Sequence, residues 1–307
     1  MTLTRRLFQT GALSMVGGSV LARRGAAQDG PETLQAVDTH AHVFRRDWPL
    51  ADTRRYAPGY DATPEDYLAV LDAHGIAQAV LVQPSFYGDD NRGLLDALAR
   101  APQRLRGIAV VRPDGPPETL KAFAAQGIVG IRLNLIGVAD PDFAAPSWQR
   151  LLRSVADLGW QVEVQAEARR WPSLLPPLLD SGVRVVADHF GKPDPALGID
   201  DPGFRHLLSA GRTGRVWAKL SGSYRNGPGE TGERIARAAL PLLKDGLGLK
   251  RLVWGSDWPH TQFEGVASYD RVRAQLDGWL PDPAERRIVL QETPRALFGL
   301  PAGRVPT

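Results

Sequence analysis

Short apolar runs alternate with segments of helical periodicity along most of the chain, from residue 36 onward. The apolar runs predict eight strands, over residues 36–44, 79–85, 105–111, 129–135, 160–167, 184–190, 216–222 and 251–257. Helices are expected between them at 64–74, 90–100, 116–126, 146–158, 172–181, 202–210, 230–244 and 264–279, with a last one near 283–291. This alternation is typical of the α/β class and predicts a single-domain (β/α)8 TIM barrel over residues 31–300, followed by a C-terminal tail at 301–307.

The helix predicted at 64–74 has the clearest boundaries. Thr63 can cap its first turn, Asp66 can return the capping bond, and Gly75 suits its exit. An open, doubly wound sheet is the competing fold, but a glycine-rich phosphate-binding turn should then follow the first strand, where this chain reads His-Ala-His. The sequence therefore favours the barrel.

The first predicted strand carries polar side chains where a barrel strand is normally apolar. Side chains alternate across a strand, so Asp38, His40 and His42 share one face, and we expect this face to point into the barrel. Helices cover the outside of a parallel barrel and packed layers fill its inside. Repeated inward polar residues near a strand end therefore need a functional reason.

Polar side chains also end several later strands on faces predicted to point inward. Active sites of (β/α)8 barrels lie at the carboxyl ends of the strands. The polar residues at these ends are Gln83, Ser85, Arg132, Asn134, His189, Lys219, Ser221 and Asp257. Their convergence at one mouth indicates a site that binds a polar or anionic small molecule and acts on it.

Composition narrows the classes of partner. The 307 residues are 43% hydrophobic and 23% charged, which is ordinary for a folded globular protein. The formal net charge is only +3 and the basic residues are scattered, so no nucleic-acid partner is expected. The chain contains no cysteine, which leaves mainly His, Asp and Glu as ligands for any metal ion.

The first 27 residues resemble a twin-arginine export signal. Arg5 and Arg6 precede an uncharged stretch at 11–21, and residues 25–27 form a small-residue cleavage site. The uncharged stretch is too short to span a bilayer, so stable membrane insertion is not expected. We expect recognition by the export machinery and a periplasmic location; the alternative is the basic N-terminus of a cytoplasmic protein.

Six segments together resemble a known superfamily. They are "VDTHAHVF" at 37–44, "GIRLNL" at 130–135, "VADHFGKP" at 186–193, "KLSGSYR" at 219–225, "WGSDWPH" at 254–260 and "TPRALFGL" at 293–300. In this order they are similar to the amidohydrolase superfamily, nearest the branch of barrel hydrolases that includes 2-pyrone-4,6-dicarboxylate lactonase and several sugar lactonases. The resemblance covers nearly the whole chain after the predicted signal.

The resemblance implies that His40, His42, His189 and Asp257 are the catalytic residues. Many superfamily members place a histidine at the end of the fifth strand, where this chain has Gln165. The fourth strand ends without the carbamylated lysine of binuclear members. The resemblance therefore implies a reaction without a divalent metal, in which imidazoles polarise a lactone carbonyl and the aspartate activates water. The alternative is a single zinc ion bound by the same four residues.

The resemblance also implies contacts to an anionic substrate. The cations that would bind its carboxylates are Arg132, Lys219 and Arg225, since a guanidinium pairs with a carboxylate through two hydrogen bonds. The alternative for these cations is ion pairing within the protein, to Glu163, Glu167 or Asp188. Further candidates for substrate hydrogen bonds are Tyr224, Ser85, Gln83 and His260.

Three functions stay open on the sequence. The favoured one is a lactonase acting on a carboxylated ring, such as a pyrone dicarboxylate or a muconolactone. The second is a zinc-dependent hydrolase or decarboxylase of the same superfamily. The third is an exported barrel that binds organic acids without chemistry, although the presence of all four implied catalytic residues argues against it.

Overall fold

The (β/α)8 barrel predicted from the sequence is the fold of the protein. The computed structural model describes residues 35–301, in which eight parallel strands follow one another in chain order. They are β1 (Ala36–Ala41), β2 (Ile76–Val82), β3 (Leu105–Ala109), β4 (Ile128–Asn134), β5 (Gln161–Gln165), β6 (Arg184–Ala187), β7 (Val216–Leu220) and β8 (Leu252–Trp254). Each strand ends before its predicted boundary, because the polar residues that follow belong to turns and loops. The predicted export signal at 1–27, and the tail beyond residue 301, lie outside the described residues.

Helices lie between successive strands and after the last one. They are α1 (Pro64–Ala73), α2 (Arg92–Arg100), α3 (Thr119–Ala125), α4 (Pro146–Asp157), α5 (Trp171–Asp180), α6 (Pro202–Ser209), α7 (Thr231–Gly246), α8 (Tyr269–Trp279), α9 (Pro283–Arg287) and α10 (Thr293–Phe298). The predicted cap of α1 is present, since Thr63 Oγ1 accepts from the amide of Asp66 and Asp66 Oδ2 accepts from the amide of Thr63, both at 3.1 Å. Among residues 35–301, no helix has the length and apolar character needed to cross a membrane.

The barrel closes between β1 and β8 through contacts just beyond the end of β8. The amide of Asp257 donates to the carbonyl of His40 at 2.7 Å, and the amide of His42 donates to the carbonyl of Trp258 at 2.8 Å. Gly255 permits this approach, because a Cβ there would lie 2.5 Å from the Cβ of His40. These contacts between β1 and the residues after β8 therefore place Asp257 beside both histidines of the first strand.

Apolar side chains pack on both faces of the sheet. A large outer layer fills the space between the strands and the helices. A smaller inner layer fills the barrel and includes Val37, Val80, Val82, Ile108, Val186 and Val253. Toward the carboxyl ends of the strands, the interior positions become polar, and Arg132, Glu163 and Lys219 are buried there. The polar end of the barrel is the end that holds the site.

Asp38 does not share the inward face of β1, and the sequence prediction was wrong at this position. Val37 lies in the inner layer, whereas the carboxylate of Asp38 accepts hydrogen bonds from Tyr67 of α1 at 2.9 Å and Tyr269 of α8 at 3.2 Å. The register between β1 and β2 shifts after Asp38, so strict alternation fails there. His40 turns inward beyond this irregularity.

The end of the barrel opposite the site is closed by α10. Leu297 and Phe298 of this helix, with Leu300 after it, pack against the inner layer. The sequence predicted one last helix near 283–291, and the chain is helical there but the helical segment continues: α9 is followed by a π-helical turn at Ile288–Glu292 and then by α10. Pro294 does not end this segment, because it lies in the first turn of α10, where a missing backbone donor is tolerated.

Candidate active site

Three imidazoles and a carboxylate meet at the carboxyl ends of the strands. The ring centroids of His40 and His42 are 5.0 Å apart, and those of His40 and His189 are 4.9 Å apart. Oδ1 of Asp257 lies 3.8 Å from Nε2 of His40 and 3.8 Å from Nε2 of His42. All four side chains are buried. The residues that the resemblance implied to be catalytic therefore surround one small space.

His189 reaches this space through its backbone conformation. The alternate residues of β6, Val185 and Ala187, belong to the outer layer, so strand alternation alone would point His189 away from the barrel interior. His189 and Phe190 follow β6 in a turn with φ values of 51° and 59°, in the left-handed region that non-glycine residues rarely adopt. The turn directs the imidazole inward, where its Nδ1 lies 3.0 Å from Oγ of Ser221.

The two carboxylate oxygens of Asp257 have different surroundings. Oδ2 accepts hydrogen bonds from the hydroxyl of Tyr224 at 2.6 Å and from Nε of Arg225 at 2.5 Å. Oδ1 is buried and finds no hydrogen-bond partner among residues 35–301. Burial opposes ionisation, but Arg225 and the nearby imidazoles outweigh it and hold the pKa of Asp257 well below its usual range. Asp257 is thus an anchored carboxylate with one oxygen available to a bound molecule.

Gly222 allows His189 and Asp257 to pack closely against the backbone after β7. Its φ is 52°, and a Cβ on it would lie 2.9 Å from Nδ1 of His189 and 3.0 Å from Oδ2 of Asp257. Both the backbone conformation and the close approach therefore require glycine at the end of β7.

His42 is neutral and presents a lone pair to Asp257. Its Nδ1 lies 2.7 Å from the carbonyl oxygen of Val82 and must donate, because a carbonyl oxygen only accepts. Burial, together with the nearby cation of Arg132, lowers the pKa of His42 to about 3. Nε2 of His42 therefore carries no proton near neutral pH. Burial likewise lowers the pKa of His189 to about 4.

Lys219 lies beneath the imidazoles and is not part of the cavity wall. Its buried Nζ is 2.6 Å from Oε2 of Glu163, 3.0 Å from Nδ1 of His40 and 3.5 Å from Oδ1 of Asp188. These contacts match the ion-pairing alternative that the sequence left open, and they enclose the ammonium, so a substrate carboxylate has no access to it. Burial raises the pKa of Glu163 to about 7, with Lys219 opposing the shift.

Arg132 joins this buried network to the cavity. Its Nη1 donates to the carbonyl of Gln83 at 3.1 Å, and its Nη2 donates to Oε1 of Gln165 at 2.5 Å and lies 3.5 Å from Oδ2 of Asp188. Gln165, which replaces the histidine of many superfamily members, therefore holds the guanidinium. The same guanidinium also lines the cavity.

A cavity of about 170 Å³ opens above the cluster, with His42, His189 and Asp257 in its wall. The cations in the wall are Arg55, Arg132, Lys192 and Arg225. Asp257 is the only carboxylate among the described wall residues. The excess of positive charge favours an anionic ligand, and the small volume favours a compact one.

The rim contains residues that the sequence analysis missed. Arg55 and Tyr56 come from the loop between β1 and α1, and the Tyr56 hydroxyl lies 3.1 Å from Oγ1 of Thr261, after β8. Lys192 follows the turn after β6, and its Nζ donates to the carbonyl of Arg225 at 2.8 Å. Strand periodicity cannot find loop residues, which have no repeating face. Lys192 could have been found as the cation beside His189 in "VADHFGKP".

The remaining predicted substrate contacts divide into two groups. Ser85 lines the cavity, whereas Gln83, Tyr224 and His260 make contacts within the protein. Nε2 of Gln83 donates to two backbone carbonyls of the loop after β2. The Tyr224 hydroxyl, besides donating to Asp257, lies 3.0 Å from Nδ1 of His260.

Ligand-type atoms lie close enough together to hold a metal ion in two places. The two sets are His40, His189 and Asp257, and His40, Glu163 and Asp188. A zinc-bound histidine normally donates its other ring N–H to a carbonyl or carboxylate, as Nδ1 of His42 does to a carbonyl. Nδ1 of His40 instead faces the ammonium of Lys219. The donor sets therefore fit a metal ion in spacing but not in the surroundings of His40.

Comparison with known proteins places this site in a family. The sequence matches the family model described as amidohydrolase over residues 37–300. The chain belongs to the amidohydrolase family. This amidohydrolase is 32% identical over 274 residues to 2-pyrone-4,6-dicarboxylate hydrolase from Comamonas testosteroni, a match that covers 86% of this chain and 90% of the relative. It is 31% identical over 275 residues to 4-sulfomuconolactone hydrolase from Hydrogenophaga intermedia, covering 85% and 88% of the two chains.

A solved structure confirms the fold of the amidohydrolase. A probable 2-pyrone-4,6-dicarboxylic acid hydrolase from Acinetobacter baumannii, crystallised with citric acid bound, is 42% identical and superposes with a TM-score of 0.84. The match covers 86% of this chain and 99% of that one. The superfamily resemblance inferred from the six segments is therefore confirmed over the whole barrel.

Proposed function

We propose that this amidohydrolase opens the lactone ring of a small carboxylated molecule by the attack of water. The observation that carries the proposal is the position of Oδ1 of Asp257, which lies among the imidazoles in the wall of a cation-lined cavity. Within residues 35–301 this oxygen has no hydrogen-bond partner. The two relatives named as hydrolases of a pyrone dicarboxylate and a sulfomuconolactone support this reaction class.

Asp257 acts as the general base. Oδ1 takes one proton from water, and the water oxygen bonds to the lactone carbonyl carbon. Nε2 of His42 accepts a hydrogen bond from the second hydrogen of the water, which stays on the oxygen. Imidazole N–H groups stabilise the negative charge that develops on the carbonyl oxygen. When the intermediate collapses, the bond between the carbonyl carbon and the ring oxygen breaks, and the ring oxygen takes the proton held by Asp257. The product is one open-chain acid.

The charge of the cavity selects the substrate. Arg132, Lys192 and Arg225 lie in its wall, and Arg55 lies at the rim. Cations facing one small cavity favour carboxylate groups on the ring, because charge-assisted hydrogen bonds to carboxylates are strong. The citric acid named with the Acinetobacter baumannii relative is itself a small molecule with several carboxylates, which supports an anionic ligand here.

A zinc-dependent hydrolase is the second candidate, favoured by the spacing of His40, His189 and Asp257. A hydrolysis screen of carboxylated and sugar lactones, run with and without a chelator on protein whose metal content has been measured, separates the candidates. The proposal expects turnover of a carboxylated lactone that the chelator leaves unchanged. If the protein contains stoichiometric zinc and its removal abolishes turnover, the protein is the zinc-dependent hydrolase. If the protein binds organic acids tightly but turns over no lactone, it is a barrel that binds organic acids without catalysing a reaction.

We propose in addition that the amidohydrolase is exported to the periplasm through its twin-arginine-type N-terminus. The support is the sequence of residues 1–27 alone. Cell fractionation tests the proposal: the protein is expected in the periplasmic fraction, and replacing Arg5 and Arg6 by lysine is expected to retain it in the cytoplasm. A cytoplasmic wild-type protein would contradict it.

A further inference from the structure

Lys219 and His40 are in direct contact at the floor of the site, where the mechanism proposed above gives Lys219 no role. Nζ of Lys219 lies 3.0 Å from Nδ1 of His40, and both side chains have 0% of their surface exposed. An ammonium group has three N–H donors and no lone pair. In a hydrogen bond between these two nitrogens, Nδ1 of His40 must therefore accept.

Two carboxylates lie beside the ammonium of Lys219. Nζ donates to Oε2 of Glu163 at 2.6 Å and lies 3.0 Å from Nδ1 of His40, whereas Oδ1 of Asp188, at 3.5 Å, makes only an ion-pair contact. A buried cation is tolerated when anionic partners enclose it, and two carboxylates do so here. One ammonium hydrogen bonds to Glu163, and another is available for Nδ1 of His40.

We infer that Lys219 is a positioning residue that fixes the tautomer of His40, so that His40 donates a hydrogen bond through Nε2. A neutral imidazole carries one N–H, and when Nδ1 accepts, the proton resides on Nε2. Nε2 of His40 is buried beside Oδ1 of Asp257 and, within the described part of the chain, has no hydrogen-bond partner. Its proton is therefore directed at whatever oxygen binds between them.

The competing arrangement would place the proton on Nδ1 and direct it to Oδ1 of Asp188, which lies 3.5 Å away. Two N–H groups, those of His40 and Lys219, would then face each other across 3.0 Å. The shorter contact and the absence of such a repulsion favour the Nε2–H tautomer.

The tautomers of His40 and His42 are then opposite. His42 donates through Nδ1 to the carbonyl of Val82 and keeps a lone pair on Nε2, whereas His40 keeps a proton there. Both Nε2 atoms lie 3.8 Å from Oδ1 of Asp257. A water molecule between the three groups can accept a hydrogen bond from Nε2 of His40. It can donate hydrogen bonds to Nε2 of His42 and Oδ1 of Asp257, which uses both of its hydrogens. The arrangement orients the attacking water of the proposed function, although the inference itself concerns only the resting enzyme.

The same tautomer disfavours a metal ion at this position. A ligand nitrogen must offer a lone pair, and Nε2 of His40 has none while Lys219 occupies Nδ1. Binding of zinc at Nε2 would require loss of this proton and reversal of the contact with Lys219.

Nuclear magnetic resonance of protein labelled with ¹⁵N-histidine tests the inference. The His40 signals are assigned as those lost in His40→Gln. In the wild type, at neutral pH and without substrate, we expect the hydrogens of the His40 ring to correlate with a protonated Nε2 and an unprotonated Nδ1. In Lys219→Met, the Nε2–H pattern should be lost and replaced by Nδ1–H, since Asp188 then becomes the available acceptor. Glu163→Gln is the matched control, because it alters the same buried network but keeps Lys219, and its His40 pattern should stay that of the wild type.

A wild-type pattern with Nδ1 protonated would overturn the inference, and so would an unchanged pattern in Lys219→Met. If Lys219→Met fails to fold, the wild-type spectrum decides alone. Addition of zinc to the wild type gives an independent readout: His40 Nε2 should keep its proton, whereas its loss with stoichiometric zinc uptake would overturn the inference. None of these measurements uses a lactone, so failure of the proposed reaction would leave them unaffected.

Discussion

The hydroxyl of Tyr224 donates a 2.6 Å hydrogen bond to Oδ2 of Asp257, while Oδ1 of the same carboxylate faces the imidazoles. Tyr224 and Arg225 together hold one oxygen in place. The orientation of the other oxygen is thereby fixed before any substrate binds. A preoriented base needs little rearrangement during the reaction, which is the basis of its expected contribution to the rate.

Replacing Asp257 by Asn should lower kcat by about 10²- to 10⁴-fold, the usual contribution of a general base, because an amide oxygen cannot take up the proton of water. The side chain keeps its size, so calorimetry should show anionic ligands binding within a few-fold of the wild-type affinity. Turnover equal to that of the wild type would contradict the role of Asp257.

Tyr224→Phe should lower kcat by roughly 10-fold with little change in KM, because it removes one hydrogen bond to a charged group and leaves the ring in place. Tyr60→Phe is the matched control: the Tyr60 hydroxyl donates to Glu264, and neither residue lines the cavity. Steady-state kinetics of both variants check the prediction. An equal loss in the two variants would mean that the hydroxyl contact to Asp257 has no special importance.

Lys192→Met should raise KM for a carboxylated lactone by roughly 10-fold, since it removes a cation from the cavity wall and a charge-assisted hydrogen bond with it. The effect on an uncharged sugar lactone should be much smaller. Lys250→Met removes an equal charge from the exposed turn before β8 and should change neither value. Equal effects of Lys192→Met on both lactones would show that Lys192 does not contact the carboxylate.

Gly222→Ala should abolish most activity, because the added Cβ would lie closer to His189 and Asp257 than van der Waals contact allows. Gly229→Ala is a suitable control, since Gly229 also has a positive φ, 55°, but no atom of residues 35–301 lies within 4 Å of the added Cβ. Both variants should lose stability from backbone strain, measured by urea denaturation. Only Gly222→Ala should also have a lower kcat. Similar kcat values in the two variants would exclude the steric explanation.

The stability of the protein should fall on mild acidification, and His42 should account for part of the fall. Its pKa is about 3 in the folded state and about 6.5 in an unfolded chain. Between these values the unfolded state binds the proton and the folded state does not. The contribution of His42 is therefore lost progressively as pH falls below about 6.5, by about 2 kcal/mol between pH 7 and pH 5.

His42→Gln removes this pH dependence. The free energy of unfolding of the variant, measured in urea at several pH values, should decline less steeply between pH 7 and pH 5 than that of the wild type. Parallel curves for the two proteins would mean that folding does not lower the pKa of His42.

The sequence was sufficient to predict the fold and the inward position of several charged residues, because a barrel strand has two fixed faces. Arg132 and Lys219 lie inside, as alternation predicts. Their partners could not be predicted, since the contact of Lys219 with Glu163 and His40 depends on how three strands far apart in the chain meet across the barrel.

Alternation failed where the backbone leaves regular strand geometry. Asp38 faces the helices while His40 faces the interior, because the register of β1 shifts between Asp38 and Ala41. His189 faces the site because its turn is left-handed. Arg55 was missed for a different reason: its loop is held by tertiary contacts, such as that between Tyr56 and Thr261, which leave no periodic signal.

Because α10 closes one end of the barrel, the apolar interior can be covered only after the last part of the chain has been synthesised. Leu297, Phe298 and Leu300 emerge from the ribosome after all eight strands, yet they cover the same apolar layer as Val37 of the first strand. A nascent chain therefore carries an uncovered hydrophobic interior until this segment is made. Products truncated before residue 297 should consequently aggregate or be degraded, even though every residue of the candidate active site would be present in them.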